Sequence, residues 1–337
     1  MSNKTKRILH SNEPYIFLII VALGILVQIK SGQFFTGNNI VDLLSALIVP
    51  GIFAIAEFLA IVSGGIDVSF PALASLTAFI TTQILNSMNY QGNAILAFLI
   101  AMAFGALFGA INGILIGYFN LNAMIVTLGT SSAFIGFMQG TLRATVVPRI
   151  PQGMKNLGTK AFFTASNEKN NLSSVLPYTF VIFIVLGVLV YLMLNKTIFG
   201  RGIYAIGGNP VSAHAAGFNV KRTKFFVYMI IGVIASVGGV CRVSMMQQMH
   251  PTNMIGMEMN IIAGVVLGGV ALSGGSGKIL GVILGTFLIV LVQNSMILLG
   301  ISTTWSRVFV GIVIIVGVIV SAYQETHTTR IVKRGAE

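Results

Sequence analysis

Ten apolar runs, most of them close to the length that crosses a bilayer, divide this chain: residues 15–29, 41–62, 70–87, 94–118, 122–140, 174–194, 225–247, 259–273, 279–299 and 306–322. A spanning helix needs about 20 apolar residues to cross a hydrocarbon core about 30 Å thick. Such runs cannot all hide inside a water-facing shell. A soluble domain carries about 25% charged residues, whereas this chain of 337 residues carries 8%. In lipid every backbone polar group must be satisfied within the chain, and helices do this segment by segment. The expected fold is therefore all-α: a polytopic integral membrane protein with about ten transmembrane helices. The first and eighth runs are the short ones.

The connections carry the charge. The net charge of +12 resides mostly in loops between apolar runs, where Lys and Arg hold a connection on the cytoplasmic side. No basic folded surface remains for nucleic acid. Ten spans place both termini on one side, and that side receives 12 of the 20 Lys and Arg, among them Lys196, Arg201, Lys221, Arg222, Lys224 and Lys278. Five of the opposite eight lie in the long loop 141–173, which crosses largely regardless of charge. The short connections thus predict both termini and loop 196–224 inside, with 141–173 outside. Residues 1–14 read as a cytoplasmic segment, 15–322 as the transmembrane domain and 323–337 as a cytoplasmic tail. Lys4, Lys6 and Arg7 ahead of Tyr15–Ile29 have the order of a secretory signal, but no small-residue cleavage site follows, so a retained first helix is expected.

One internal connection exceeds what charge placement requires. Gly200 to Lys224 is polar, Gly-rich and basic; Ser212 to Ala216 favours a short helix, Asn209-Pro210 suits its first turn, and Gly217 suits its stop. In the fourth run, Gly105, Gly109, Gly113 and Gly117 recur every four residues with Asn112 beside the row. Two readings fit that row: close approach of another helix backbone with Asn112 as an interhelical hydrogen bond, or contact with a polar solute. Ile61-Val62-Ser63-Gly64-Gly65 is echoed by Ala271-Leu272-Ser273-Gly274-Gly275, and Asn86-Ser87-Met88 by Asn294-Ser295-Met296. Glycine-broken segments in matching halves point to a transporter pathway.

Enzyme chemistry finds no constellation. Gly274-Gly275-Ser276-Gly277-Lys278 lacks the P-loop's earlier glycine and its hydroxyl after the lysine, those places holding Leu272 and Ile279. His10, His214, His250 and His327 have no metal-ligand spacing, no G-x-S-x-G elbow occurs, and Cys241 lies in an apolar run. Glu57 within the second run and Asp67 at its edge are acids where acids are costly, open to a pathway or structural hydrogen bond or to a proton relay. The methionines from Met245 to Met259 read either as an adaptable docking surface or as filler.

Four ordered segments together resemble the permease subunits of ribose-type, or simple-sugar, ABC importers. They are Ser63-Gly64-Gly65-Ile66-Asp67-Val68-Ser69, Ile125-Val126-Thr127-Leu128-Gly129-Thr130, Gly200 through Pro210, and Gly264 through Gly269 followed by Ser273 through Gly277. The resemblance covers about Thr36 to Ser321. Phe70-Pro71 departs from the small pair that commonly follows the first segment, Asn260 stands where an Asp often follows, although Glu258 is kept, and His214 stands where arginine is common.

What the resemblance implies is an importer of a small sugar working by alternating access in a bacterial cytoplasmic (inner) membrane. It implies as partners one or more ABC ATPase subunits, a second permease copy or related permease, and an extracytoplasmic sugar-binding protein, besides membrane lipid. No cofactor, metal or catalytic residue is expected in this chain, ATP and magnesium belonging to the ATPase. The resemblance makes 200–217 the coupling region, with Gly200, Arg201, Gly202, Gly208, Asn209, Pro210, His214 and Gly217 as contacts. Candidate pathway residues are Glu57, Gly64, Gly65, Asp67, Asn112, Thr127, Gly274, Gly275 and Asn294. The rival expectation is a carrier driven by an ion gradient.

Overall fold

The computed structural model describes residues 13–167, 172–305, 308–312 and 315. Its helices in chain order are α1 (Glu13–Ser31), α2 (Gly37–Val62), α3 (Phe70–Ser87), α4 (Ile95–Gly113), α5 (Ala123–Gly136), α6 (Gln152–Thr159), α7 (Thr179–Lys196), α8 (Ile198–Gly208), α9 (Pro210–Ala215), α10 (Val220–Met246), α11 (Glu258–Leu267) and α12 (Ile279–Leu298). Helices α4 and α5 each end in a five-residue π turn, Ile114–Tyr118 and Phe137–Thr141. The helical, polytopic architecture is as expected.

The number of spans is not simply ten. Among the described residues seven helices are long and apolar enough to cross a membrane: α1, α2, α4 and α5 with their π turns, α7, α10 and α12. The third run forms α3, but that helix is packed inside the bundle, where Ser75, Thr77, Thr81 and Thr82 are buried. Protein neighbours rather than lipid surround it, and the Thr77 and Thr82 hydroxyls donate to the carbonyls of Leu73 and Ala78 one turn back. The eighth run forms only the 10-residue α11. Beyond it Gly268 closes the last turn and Gly269, at φ +84°, turns the chain away. The tenth run, 306–322, lies mostly outside the described residues, as do 1–12 and the tail 323–337.

Two boundaries shift for clear reasons. Helix α10 begins at Val220, so Lys221, Arg222 and Lys224 are helical rather than loop. The Asn219 side chain caps it by accepting from the Arg222 N–H at 3.0 Å. Residues 174–177, assigned above to the sixth span, instead belong to a hairpin, β1 (Ala161–Asn167) paired antiparallel with β2 (Leu172–Pro177). The long loop 141–173 therefore contains structure of its own, α6 and most of this hairpin. Val147 exchanges backbone bonds of 2.9 and 3.0 Å with Met249, tying it to the end of α10.

Helices α2 and α10 form the centre, with α3 and α4 against α10 and with α7, α11 and α12 around α2. The glycine row on α4 does what close backbone approach demands. A Cβ at Gly109 would stand 2.5 Å from Tyr228 O, one at Gly113 2.6 Å from Phe225 O, and one at Gly117 2.7 Å from Lys221 O, all on α10. Of the two readings of that row, helix packing is the one realised. Met249 and Met254 are buried while Met259 is exposed, so the methionine cluster is partly filler. Phe70 packs tilted against Phe53 at 5.4 Å between ring centroids, and Pro71 sits in the first turn of α3, where its missing N–H costs nothing.

The connections sort to two ends. Lys278 pairs with Glu13 at 2.9 Å, and Tyr204 donates to the Gly277 carbonyl at 3.0 Å, so the start of α1, the turn before α12 and α8 share one end. Residues 141–167, 172–178 and 247–257 share the other.

Candidate functional site

The Ser63–Ser69 connection between α2 and α3 is the centre of the site. The chain leaves α2 at Ser63, turns through Gly64 at φ +86°, and runs extended until Ser69. Asp67 folds back on this segment: its Oδ1 accepts from the Ser69 N–H at 2.7 Å and from the Ser69 hydroxyl at 2.6 Å. That Asp-x-Ser arrangement is the local turn chemistry of an acid two residues before a helix. Ser69 Oγ in turn accepts from Asn112 Nδ2 on α4 at 2.9 Å. The Asp67 N–H points to Glu57 Oε1 on α2 at 3.4 Å. Thr127 on α5 accepts from the Val68 N–H at 3.2 Å and donates to the Ile66 carbonyl at 3.3 Å.

Glu57, Asp67, Asn112 and Thr127, chosen separately along 71 positions of sequence, thus converge on one buried cluster. Neither carboxylate has a basic partner among the described residues. Burying two such groups without a cation costs several kcal/mol by order of magnitude, which makes the pair a candidate for function. Glu57 Oε2 and Asn112 Oδ1 have no hydrogen-bond partner. Tyr228 on α10 is buried with its hydroxyl likewise unpartnered, and that hydroxyl stands against Gly65 and Ala123, where a side chain on Gly65 would collide. At this contact a polar cavity of about 220 Å³ opens, lined by the Ser63–Gly65 turn, Ile116, Asn120 to Ala123, Lys224 and Tyr228. Chemically the cluster offers hydroxyl, amide and carboxylate atoms with unused bonding capacity beside a polar opening.

The second turn, at Ser273–Gly277, repeats the first at its leading glycine and departs from it at the next, Gly275 standing at φ +74° where Gly65 has no positive φ. Gly274 has φ +87° against +86° at Gly64, and only glycine adopts this conformation freely. The Gly275 N–H donates to the Val62 carbonyl at 2.9 Å, so the echoed segments touch. Gly64, Gly274 and Gly275 are thereby gathered at the C-terminal end of α8, while Gly65 faces Tyr228. Asn294, near the opposite end of α12, has no part in either arrangement.

The coupling candidates follow in order along α8 and α9. Thr197 caps α8 by accepting from the Gly200 N–H at 3.0 Å, and a Cβ on Gly200 would collide with the carbonyls of Met193 and Leu194. Gly202 lies under the Phe218 ring, 3.1 Å from where a Cβ would be. The Asn209 side chain accepts from the Ser212 N–H at 3.0 Å, Pro210 opens α9, and Gly217 closes it at φ +89° with Phe218 N–H bonded to the Ala213 carbonyl. This is the start and stop expected from the residues alone. Arg201, Gly208, Asn209, Pro210 and His214 are exposed, and Ala213 is the one buried residue of α9.

Ser69, Tyr204 and Gly207 lie in segments that carry the resemblance but were not singled out as site residues, and Tyr228 was passed over. Ser69 carried a signal, being a hydroxyl two residues after an acid at a helix start; Tyr228, one polar atom in an apolar run, carried almost none.

The family described as Branched-chain amino acid transport system / permease component matches residues 39–318. The ribose import permease RbsC of Escherichia coli K12 is 31% identical over 309 residues, covering 89% of this chain and 92% of that protein. The fructose import permease FrcC of Rhizobium meliloti is 29% identical, covering 95% and 88%. The galactose/methyl galactoside import permease MglC of Haemophilus influenzae is 29% identical, covering 95% and 96%. No solved structure matches. On this nearly full-length similarity, and on a helical bundle able to cross a membrane several times, the chain belongs to the simple-sugar ABC import permeases, membrane components that perform no enzymatic reaction themselves.

Proposed function

We propose that this chain carries a small sugar, a pentose, a hexose or a related polar solute, into the cell by alternating access, energised by a separate ATPase subunit. The observation that carries the reading is that relatives named for ribose, fructose and galactose import align with about nine-tenths of this chain. Helix α9 supports it physically. It is capped at both ends, and it exposes Val211, 79% accessible, at an end of the molecule rich in cations. An exposed apolar side chain on a rigid polar helix suits docking to a soluble partner, and rigid-body displacement is how nucleotide-driven closure of that partner would reach the spans.

In this reading both termini, α8 and α9 are cytoplasmic, and the loop 141–173 faces outward toward a sugar-binding protein in a bacterial cytoplasmic membrane. ATP and magnesium are held by the ATPase. A second permease, identical or related, completes the pathway. Within the protomer the cluster of Glu57, Asp67, Ser69, Asn112, Thr127 and Tyr228 is the polar element that borders the route.

One observation favours a second reading. Glu57 has another buried carboxylate beside it, the kind of titratable pair a proton-coupled carrier requires. The two readings part on the energy source. Uptake of a panel of labelled sugars by the reconstituted importer, with its cognate binding protein and ATPase, tests the substrate class. One or a few sugars should accumulate; uptake of another solute class with none of the sugars would defeat the assignment.

A further inference from the structure

The two echoed turns and the end of α8 meet backbone against backbone. Gly275 donates its N–H to Val62 O at 2.9 Å, closing the first turn on the second. Gly207 lies against that bond: a methyl on it would collide with Val62 O and stand 2.7 Å from Gly275 N. A methyl on Gly274 would stand 2.7 Å from Gly207 O and 2.8 Å from Gly64 Cα, and one on Gly275 2.5 Å from Gly208 Cα. A single side-chain bond reinforces the junction, from Tyr204 Oη to Gly277 O at 3.0 Å. Helix α8 therefore ends in a wedge held by the turn that leaves α2 and by the turn that enters α12.

We infer that Gly207 and Tyr204 are positioning residues of the transport step: they lock α8 to both repeated turns, so that one displacement of α9 moves the α2–α3 and α11–α12 halves together. The inference rests on the function proposed above. Its physical basis is that backbones in direct contact leave no side chain to rearrange between them, and close-packed junctions pass on a shift rather than absorb it. The echo between residues 61–65 and 271–275 thereby acquires a mechanical meaning. Both halves present a left-handed glycine, Gly64 and Gly274, to one lever, and the glycines serve force transmission rather than solute contact.

The test compares Gly207→Ala, Tyr204→Phe and Gly239→Ala in the full importer reconstituted in proteoliposomes, measuring solute imported per ATP hydrolysed. Gly239→Ala is the structural control: its methyl would stand 2.6 Å from Ala74 O inside the bundle, a milder backbone collision away from the junction. Gly207→Ala should lower the ratio at least about tenfold, and Tyr204→Phe about fivefold, the factor for one hydrogen bond. Gly239→Ala should lower stability and leave the ratio unchanged. Tyr204→Phe removes only a hydroxyl and keeps the test open should Gly207→Ala not fold.

A second readout is independent of transport. Amide exchange at Gly275 in the purified chain should be protected in the parent and at least about tenfold faster in Gly207→Ala. Equal ratios for Gly207→Ala and Gly239→Ala, or unchanged Gly275 exchange, overturn the inference. Failure of the parent importer to move sugar, with Gly275 exchange altered as expected, would instead count against the proposed function alone.

Discussion

Replacing Ser69 by alanine should destabilise the protein far more than loss of one hydroxyl suggests, because Ser69 Oγ serves two partners. It donates to Asp67 Oδ1 at 2.6 Å and accepts from Asn112 Nδ2 at 2.9 Å. A hydrogen bond to a charged group contributes about 1.5–3 kcal/mol. Removing it also strands the Asn112 amide, whose Oδ1 already has no partner, at a further cost of about 1–3 kcal/mol. The expected loss for Ser69→Ala is about 2.5–6 kcal/mol. Asn112→Ala in the Ser69→Ala background should cost much less than in the parent, because the stranded amide is gone. The coupling energy between the two sites is expected at about 1.5 kcal/mol. Far-UV circular dichroism during denaturation in mixed detergent micelles gives the four stabilities of the cycle. Additivity within about 0.5 kcal/mol would refute the network, since it would mean the two side chains do not meet in the membrane.

Two further perturbations probe other levels of the structure. Gly109→Leu should abolish the packing of α4 on α10, since even a methyl there would stand 2.5 Å from Tyr228 O; the chain should insert but become susceptible to limited proteolysis, and resistance equal to the parent would contradict the helix contact. Cys241 is fully buried in α10, so a maleimide should leave it unmodified in the folded protein and label it only after denaturation.

The helices of this fold are legible in the sequence because lipid imposes a single condition, continuous apolar length, and α1, α2, α4, α5, α7, α10 and α12 meet it. Helix α3 forms where its run places it but falls short in apolarity, its Ser and Thr hydroxyls being buried against protein, and α11 falls short in length at 10 residues. The hairpin at 161–177 is obscured by its place in a long polar loop. At the site, Glu57, Asp67, Asn112 and Thr127 stand out as polar groups in apolar surroundings, and α9 as a capped helix in a loop. Their adjacency does not follow from those signals, since it depends on how α2, α4 and α5 pack. Gly207 shows the limit most clearly. In sequence it is one glycine among 38, and only the approach of Val62 and Gly275 from distant parts of the chain gives it a role.

The central claim is that this permease moves a sugar on energy supplied by ATP, and the buried Glu57–Asp67 pair makes the energy source the point to test. The most direct measurement is uptake of the transported sugar into proteoliposomes containing the permease, its ATPase and external binding protein, with ATP inside and a protonophore present. Accumulation that requires internal ATP and is unchanged by the protonophore is the predicted result. Accumulation without ATP that collapses with the proton gradient would contradict it and make the carboxylate pair the driving element.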